Sequence, residues 1–381
     1  MPISSGGVRL TDFTAADRVR AFGYVVLAAI YFYLAQSISV HAANGLASGV
    51  WVQLIERSIL LFLLVIGYGA MGRVFNHQRQ PIRDMGLVFR SGWQREFGLG
   101  AALGWGMLVA SILPLVLTGG LIITFWLVPR QFGILLIDLL LLAVASLAEE
   151  VAFRGYPFQR LIEAMGPTLA TLVFSFAFAG LHIFNPGANR ASFLITVFSS
   201  WLLSIAYLRT RALWVCWGWH FAWNASMCVL FGLPVSGITE FSPVIQSNTV
   251  GPTWITGGDY GPEASAVTAV VLLIGIFIVY RATRGYAYLY TQPVIVPAGI
   301  PIDLDAMSAT LAPHHPVAPL PPPAGTTLVQ IEPFPRLRGC LPFCRKPAPS
   351  RQSRPNRSTK SSAFADLKLS CVEHERLLAN H

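Results

Sequence analysis

Long hydrophobic runs recur along this 381-residue chain and constrain its fold more than any other feature. Each run is close to the roughly 20 residues that a helix needs to cross the hydrocarbon core of a bilayer. Charged residues make up only 12% of the chain, which is too few to cover the surface of a soluble domain. The sequence therefore predicts an all-α, polytopic membrane protein with about eight transmembrane helices. The predicted spans are 21–40, 50–72, 97–118, 132–153, 167–185, 191–208, 212–231 and 265–282.

Basic residues are distributed unevenly between the predicted loops. With eight spans, most arginines of the membrane region fall on the side that also holds both termini. On the other side, loops 41–49 and 232–264 contain neither Lys nor Arg, and only Arg130 and Arg190 fall there. Because cytoplasmic loops carry an excess of basic residues, we expect both termini in the cytoplasm, with the chain in the inner membrane if its source is bacterial.

The composition divides the chain into three regions. Residues 1–20 form a cytoplasmic N-terminus, and the first hydrophobic run is read as an uncleaved span. Residues 21–284 form the transmembrane helical domain. Residues 291–381 are rich in Pro and Arg and cannot bury a core, so we predict a disordered cytoplasmic tail, either a partner-binding appendage or an extension without function.

The net charge of +9 does not indicate a nucleic-acid partner, because the basic residues lie between hydrophobic runs and in the tail. The expected partners are the lipid bilayer and a membrane-associated peptide or protein. The five cysteines do not suggest a disulfide framework or a zinc knuckle.

Several polar side chains fall at membrane depth, where an ionisable group costs about 2.5–3.5 kcal/mol on insertion scales. Such groups persist where they pair or where function needs them. The candidates are Glu149, Glu150 and Arg154 on the fourth span, His182 on the fifth, and His220 and Asn224 on the seventh.

The spacing of these residues separates their expected roles. Glu150 and Arg154 are four residues apart, so they share a helix face and are expected to pair. Glu149 is rotated by about 100° and is left free to act as a base. His220 and Asn224 are also four residues apart and point the same way.

The candidate side chains can lie at the same depth in the membrane only if the fourth helix continues past Gly155 to about Glu163. A kink at Pro157 is expected in that continuation. At 1.5 Å per residue, Glu149 then lies roughly 20 Å from the Glu163 end of its helix, and His182 and Asn224 lie roughly 20 Å from the starts of theirs, so the three share one level of the membrane.

A carboxylate, two histidines and an amide at one level suit hydrolysis. In one mechanism Glu149 deprotonates water, His182 holds that water, and His220 and Asn224 stabilise the oxyanion. In the other, Glu149, His182 and His220 bind zinc, which activates the water. Separately, each motif also has a structural interpretation, as a buried ion pair or as hydrogen bonds between membrane helices.

Three motifs in this order resemble the CAAX protease and bacteriocin-processing (CPBP) family. EEVAFR (149–154) is similar to its EExxxR motif, FAGLH (178–182) to FxxxH, and HFAWN (220–224) to HxxxN. The segments FGLPVSG and PTWITGGDYGPEAS are similar to the connection before the last span of bacterial members. The resemblance covers about residues 85–283 and says little about the tail.

The resemblance implies an intramembrane peptidase (EC 3.4) with its catalytic core in residues 132–231. By position, Glu149 and His182 activate water, His220 and Asn224 stabilise the oxyanion, and Glu150, Arg154 and Phe178 support the site. The family is often described as an intramembrane metalloprotease, but a metal-free glutamate mechanism has also been proposed, and we favour the metal-free form. The alternative function is a non-catalytic membrane immunity or scaffolding protein on the same fold. A proton-coupled transporter is less favoured, because the halves of the chain show no repeat.

Overall fold

A computed structural model describes residues 14–241 and 244–285, together with the backbone of 294–295 and 301–302. The described chain is mostly helical, as predicted. Its helices are α1 (Ala15–Leu46), α2 (Trp51–Phe75), α3 (Pro81–Asp84), α4 (Trp93–Leu117), α5 (Pro129–Arg154), α6 (Tyr156–Met165), α7 (Pro167–His182), α8 (Arg190–Thr210), α9 (Trp214–Ala225), α10 (Thr253–Thr256) and α11 (Ala266–Ala282).

Short strands and one π-helix complete the described elements. The π-helix Ser226–Leu230 continues α9. Strands β1 (Leu121–Phe125) and β2 (Ile245–Thr249) pair antiparallel, as do the two-residue strands β3 (Val294–Ile295) and β4 (Pro301–Ile302). Apart from β3 and β4, the predicted disordered tail 291–381 lies outside the described residues, as do residues 1–13 of the predicted N-terminus.

Each of the eight predicted spans coincides with a helix, but not every helix is long enough to cross a bilayer. Among the described residues, five are long and apolar enough: Ala15–Leu46, Trp51–Phe75, Trp93–Leu117, Pro129–Met165 and Arg190–Thr210. The apolar helices α7 and α11 are shorter, with 16 and 17 residues. The count of eight spans therefore stays a prediction.

The surface of α1 reverses the pattern of a soluble protein. On α1, the buried residues are all small and include Ala21, Ala28 and Ala35 at intervals of seven. Large apolar side chains point outward instead, such as Ile30 at 54% and Phe62 at 62% exposure. Small residues let membrane helices approach closely, while lipid accepts the exposed apolar side chains. This arrangement supports an integral membrane protein.

The N-terminal end of α1 differs from the predicted span. The helix begins at Ala15, six residues before the predicted span at 21. Thr14 caps it, because its side chain accepts from the Asp17 N–H and the Asp17 side chain accepts from the Thr14 N–H. This capping box extends the helix beyond its hydrophobic part.

The break between α5 and α6 falls at Gly155 and not at Pro157, where the kink was predicted. Gly155 has a ψ of −133°, outside the helical region. Pro157 lies in the first turn of α6, where a missing N–H costs no intrahelical hydrogen bond. The helical segment does continue to Met165, in two pieces.

Helices α4 and α9 pack with their backbones in contact. A Cβ atom at Gly100 would lie 2.2 Å from the Val215 carbonyl oxygen, and one at Gly104 would lie 2.4 Å from the Trp219 carbonyl oxygen. From the other side, a Cβ at Gly218 would lie 2.2 Å from the Phe97 carbonyl oxygen. Glycines on both helices therefore set the position of α9, which carries His220 and Asn224.

Candidate active site

The candidate residues come from three helices that meet inside the helical domain. Helix α5 supplies Glu149, Glu150 and Arg154, α7 supplies Phe178 and His182, and α9 supplies His220 and Asn224. Helix α8 contributes Ser200, which the sequence analysis did not identify.

Glu150 and Arg154 form the predicted ion pair. The Arg154 Nη1 atom lies 3.3 Å from Glu150 Oε1, and both side chains are at most 1% exposed. Arg154 also donates through Nη2 to the Ser200 hydroxyl (2.6 Å) and carbonyl oxygen (3.1 Å). Its guanidinium stacks 4.9 Å from the centre of the Phe178 ring. One buried cation thus ties α5 to α7 and α8.

His220 is anchored to the same carboxylate. Its Nδ1 atom lies 2.8 Å from Glu150 Oε1. Because an ionised carboxylate only accepts hydrogen bonds, Nδ1 carries the proton and donates it. The spacing of Glu150 and Arg154 predicts their pairing but not this bond to α9. Helical spacing within one segment carries no information about which face of another helix will meet it.

Glu149 is the more accessible of the two carboxylates. Its side chain is 32% exposed, while that of Glu150 is fully buried. Its Oε2 atom is buried, forms no hydrogen bond with the described residues, and lies 3.7 Å from His220 Nε2. That distance is too long for a direct hydrogen bond but lets one water molecule contact both atoms.

His182 lies at the end of α7, next to Phe178. Its Nδ1 atom is 2.8 Å from the Phe178 carbonyl oxygen, so Nδ1 donates and Nε2 faces away from the helix backbone. The Phe178 ring lies 4.5 Å from the His182 ring and 6.2 Å from the His220 ring. Phe178 therefore packs against both histidines, and its place at the site has a physical basis.

Asn224 lies one turn after His220 on α9 and is half-buried. Its amide forms no hydrogen bond with the part of the chain that the structure describes. The amide is thus available to a ligand.

The residues described do not form a metal site. Nowhere in 14–241 or 244–285 do three His, Cys, Asp or Glu side chains lie together as potential ligands of one ion. Of the proposed zinc ligands, His220 uses Nδ1 for Glu150 and His182 uses Nδ1 for a backbone carbonyl. These bonds leave the Nε2 atom of both histidines open. The description as a metalloprotease is not supported because no three potential ligands lie together among the described residues.

Besides Glu150, the Glu263 carboxylate also bonds to α9, and it connects the end of this helix to the long loop before α11. Its Oε1 accepts from Trp223 Nε1 at 2.8 Å, and its Oε2 accepts from the Ser236 hydroxyl at 2.9 Å. The Asn185 amide in turn donates to the Ser236 carbonyl oxygen at 3.1 Å. Glu263 lies in the segment PTWITGGDYGPEAS, but nothing in its spacing indicated a contact with Trp223.

Comparison with known proteins gives one match. Residues 129–226 match the model of the family described as Type II CAAX prenyl endopeptidase Rce1-like. The matched segment is about a quarter of the chain and contains every candidate residue of the three motifs. No curated protein and no solved structure matches the chain. This family is a protease family, so the match supports a peptidase at the family level. Residues 129–226 are thus similar to the Rce1-like family, which agrees with the resemblance to the CPBP family.

Proposed function

We propose that the protein is an intramembrane endopeptidase that hydrolyses a peptide bond of a membrane-associated protein or peptide, of the CAAX type or similar. The observation that carries the proposal is the pair of unlike carboxylates on α5, within the matched segment. Glu149 is partly exposed, whereas Glu150 is buried and its Oε1 atom bonds to both Arg154 and His220.

Glu149 is the general base of the proposed reaction. It removes a proton from a water molecule held beside it, with His182 as the second group that binds this water. The water oxygen bonds to the carbonyl carbon of the scissile peptide. When the tetrahedral intermediate collapses, the C–N bond breaks, and Glu149 returns the proton to the leaving nitrogen.

His220 and Asn224 stabilise the oxygen anion that develops on the scissile carbonyl. The Asn224 amide donates directly, and the Nε2 atom of His220 donates when the ring carries both protons. Preorganised donors of this kind act strongly in a site of low dielectric constant. The bond from Nδ1 to Glu150 holds the His220 ring in place for this role.

Glu150, Arg154 and Phe178 position the reacting groups. The buried ion pair and the hydrogen bonds to Ser200 fix the α5 turn that carries Glu149. Phe178 packs against both histidines. No step of this mechanism uses a metal ion.

The proposed setting is the bilayer, with both termini in the cytoplasm as the distribution of arginines predicts. The test compares peptide termini in membranes of cells that express the wild type or Glu149→Ala, by mass spectrometry. New termini that appear only with the wild type are expected and would identify the substrate. Glu240→Ala, which removes an exposed loop carboxylate, is the matched control. Identical termini for all three folded and equally abundant proteins would favour a non-catalytic immunity or scaffolding protein.

A further inference from the structure

Four arginines lie at the ends of α8 and α11. Arg209 is in the last turn of α8 and Arg211 directly follows this helix, while Arg281 is in the last turn of α11 and Arg284 lies two residues beyond it. The two helix ends are in contact, because Arg209 Nε donates to the Thr283 hydroxyl at 2.9 Å. The four cations therefore gather around this bond, and the proposed mechanism uses none of them.

Arg209 is held in place by two neighbours that carry no negative charge. Besides its bond to Thr283, its guanidinium lies 4.2 Å from the centre of the Tyr280 ring. These contacts use the Nε atom and one face of the guanidinium, and its two terminal nitrogens bond to no described residue. A guanidinium fixed in this way presents a planar fork of donors, which suits the oxygens of a phosphate or a carboxylate.

The positive charge around Arg209 is not neutralised by the carboxylates that the structure describes. The side chains of Arg211, Arg281 and Arg284 are exposed, and they form no ion pair within the described part of the chain. The Glu96 carboxylate comes near the end of α8 through Arg90, which also bonds to the last residue of that helix, but Glu96 is paired with Arg90. The two helix ends therefore attract an anion.

An exposed apolar stripe on α11 leads to these arginines. Val270, Ile274 and Phe277 are 56%, 55% and 64% exposed, and Arg281 follows them. Residues at these intervals of three and four share one face of a helix. Tyr280, which stacks on Arg209, is 51% exposed, and tyrosine is enriched where a membrane meets water. An acyl chain that lies along this stripe has its headgroup at the arginines.

We propose that the ends of α8 and α11 bind the headgroup phosphate of an acidic phospholipid, with Arg209 as the central contact. The charge of the arginines selects the anionic headgroup, and the apolar stripe of α11 takes an acyl chain. A free phosphate shares the headgroup chemistry but gains nothing from the stripe, so the lipid is the occupant. This site is separate from the proposed peptidase chemistry and does not depend on it.

The test measures lipid binding to the full-length protein in detergent by native mass spectrometry. The probes are phosphatidylglycerol and phosphatidylcholine with the same acyl chains, which differ in the charge of the headgroup. We expect the wild type to bind phosphatidylglycerol about tenfold more tightly, since each arginine near an anionic headgroup adds to the attraction. Arg209→Gln is expected to lose most of this preference by weakening phosphatidylglycerol alone. Arg209→Lys should keep part of it, because lysine keeps the charge but lacks the planar fork.

Arg190→Gln is the matched control, because it removes an exposed arginine at the opposite end of α8. It is expected to keep the preference for phosphatidylglycerol. Because Arg209 also bonds to Thr283, a double variant, Arg211→Gln with Arg284→Gln, tests the same site without removing a described side-chain hydrogen bond. We expect it to lower the preference by about threefold or more.

Equal binding of both lipids by the wild type would overturn the proposal, as would an unchanged preference in Arg209→Gln or in the double variant. An equal loss in Arg190→Gln would also overturn it, because net charge and not this site would then govern binding. Glycerol 3-phosphate at the same concentration is expected to leave the bound phosphatidylglycerol in place. Displacement of the lipid by it would assign the site to a soluble phosphate and overturn the lipid as occupant.

Discussion

On one face of α5, the Glu150 side chain is fully buried and its Oε1 atom bonds to Arg154 and His220. On the neighbouring face, the Glu149 side chain is 32% exposed. The two residues are adjacent in sequence and chemically identical. A rotation of about 100° along the helix separates them and gives them opposite environments. The buried face therefore joins α5 to three other helices, and the accessible face is left to carry a reactive group.

The largest expected effect on stability comes from breaking the buried face. Arg154→Met leaves the Glu150 charge buried without its cation, and we expect a loss of about 3–5 kcal/mol in the free energy of unfolding. Thermal unfolding in detergent measures this loss. Glu150→Gln combined with Arg154→Met removes both charges and should recover part of it.

The surface pair of Arg20 and Asp17 provides the control for that prediction. Exposed ion pairs contribute little, so Arg20→Met should leave the unfolding temperature unchanged. A similar loss in Arg20→Met and Arg154→Met would mean that burial does not distinguish the two pairs.

Substitutions of the proposed reacting groups should lower the rate of cleavage and leave the stability of the protein unchanged. Asn224→Ala removes a proposed oxyanion donor, and we expect kcat to fall by about 10²-fold or more. Because Asn224 bonds to no described residue, its unfolding temperature should stay within error of the wild type. Loss of stability without loss of kcat would show that the amide has a structural role.

A substitution in the glycine contact between α4 and α9 is expected to have a smaller effect, and to lower both stability and kcat. In Gly104→Ala, the new Cβ meets the Trp219 backbone, and we expect about 1–3 kcal/mol of destabilisation with a lower kcat. Gly106→Ala on the same helix is the control, because a Cβ there has no neighbour within 4 Å. It should be neutral or slightly stabilising, since alanine favours the helix. Equal effects at both positions would contradict close packing of α4 against α9.

The smallest expected effect is at Glu263, which fastens α9 from the loop side. Glu263→Gln keeps the shape and one acceptor oxygen but loses the charge, so we expect a loss of about 1 kcal/mol in unfolding free energy. Intrinsic tryptophan fluorescence during thermal unfolding follows the change near Trp223. An unfolding temperature equal to that of wild type would show that the loop does not hold α9.

The sequence predicts what depends on spacing within one helix. The Glu150 and Arg154 pair follows from their separation of four residues. The start of α1 at Ala15 was not predicted, because hydrophobicity locates a span and not the capping residues Thr14 and Asp17 that extend the helix. Hydrophobic periodicity also finds a helix at every predicted span. It does not fix helix length, so α7 and α11 are too short to count as spans by themselves.

Contacts between helices could not be predicted in the same way. The bond from His220 to Glu150 joins residues 70 positions apart and depends on how α9 is rotated against α5. The glycines that let α9 approach α4, Gly104 and Gly218, do not stand out in sequence among the 33 glycines of the chain. Ser200 and Glu263 likewise gain their roles only from residues on other elements.

The most direct test of the account is the cleavage rate of Glu149→Gln, measured in vesicles on the substrate that the comparison of peptide termini identifies. The substitution keeps the size of the side chain and removes its ability to take a proton. The account predicts that kcat falls by about 10³-fold while the unfolding temperature is unchanged. A variant that keeps a tenth or more of the wild-type rate would contradict the assignment of Glu149 as the base.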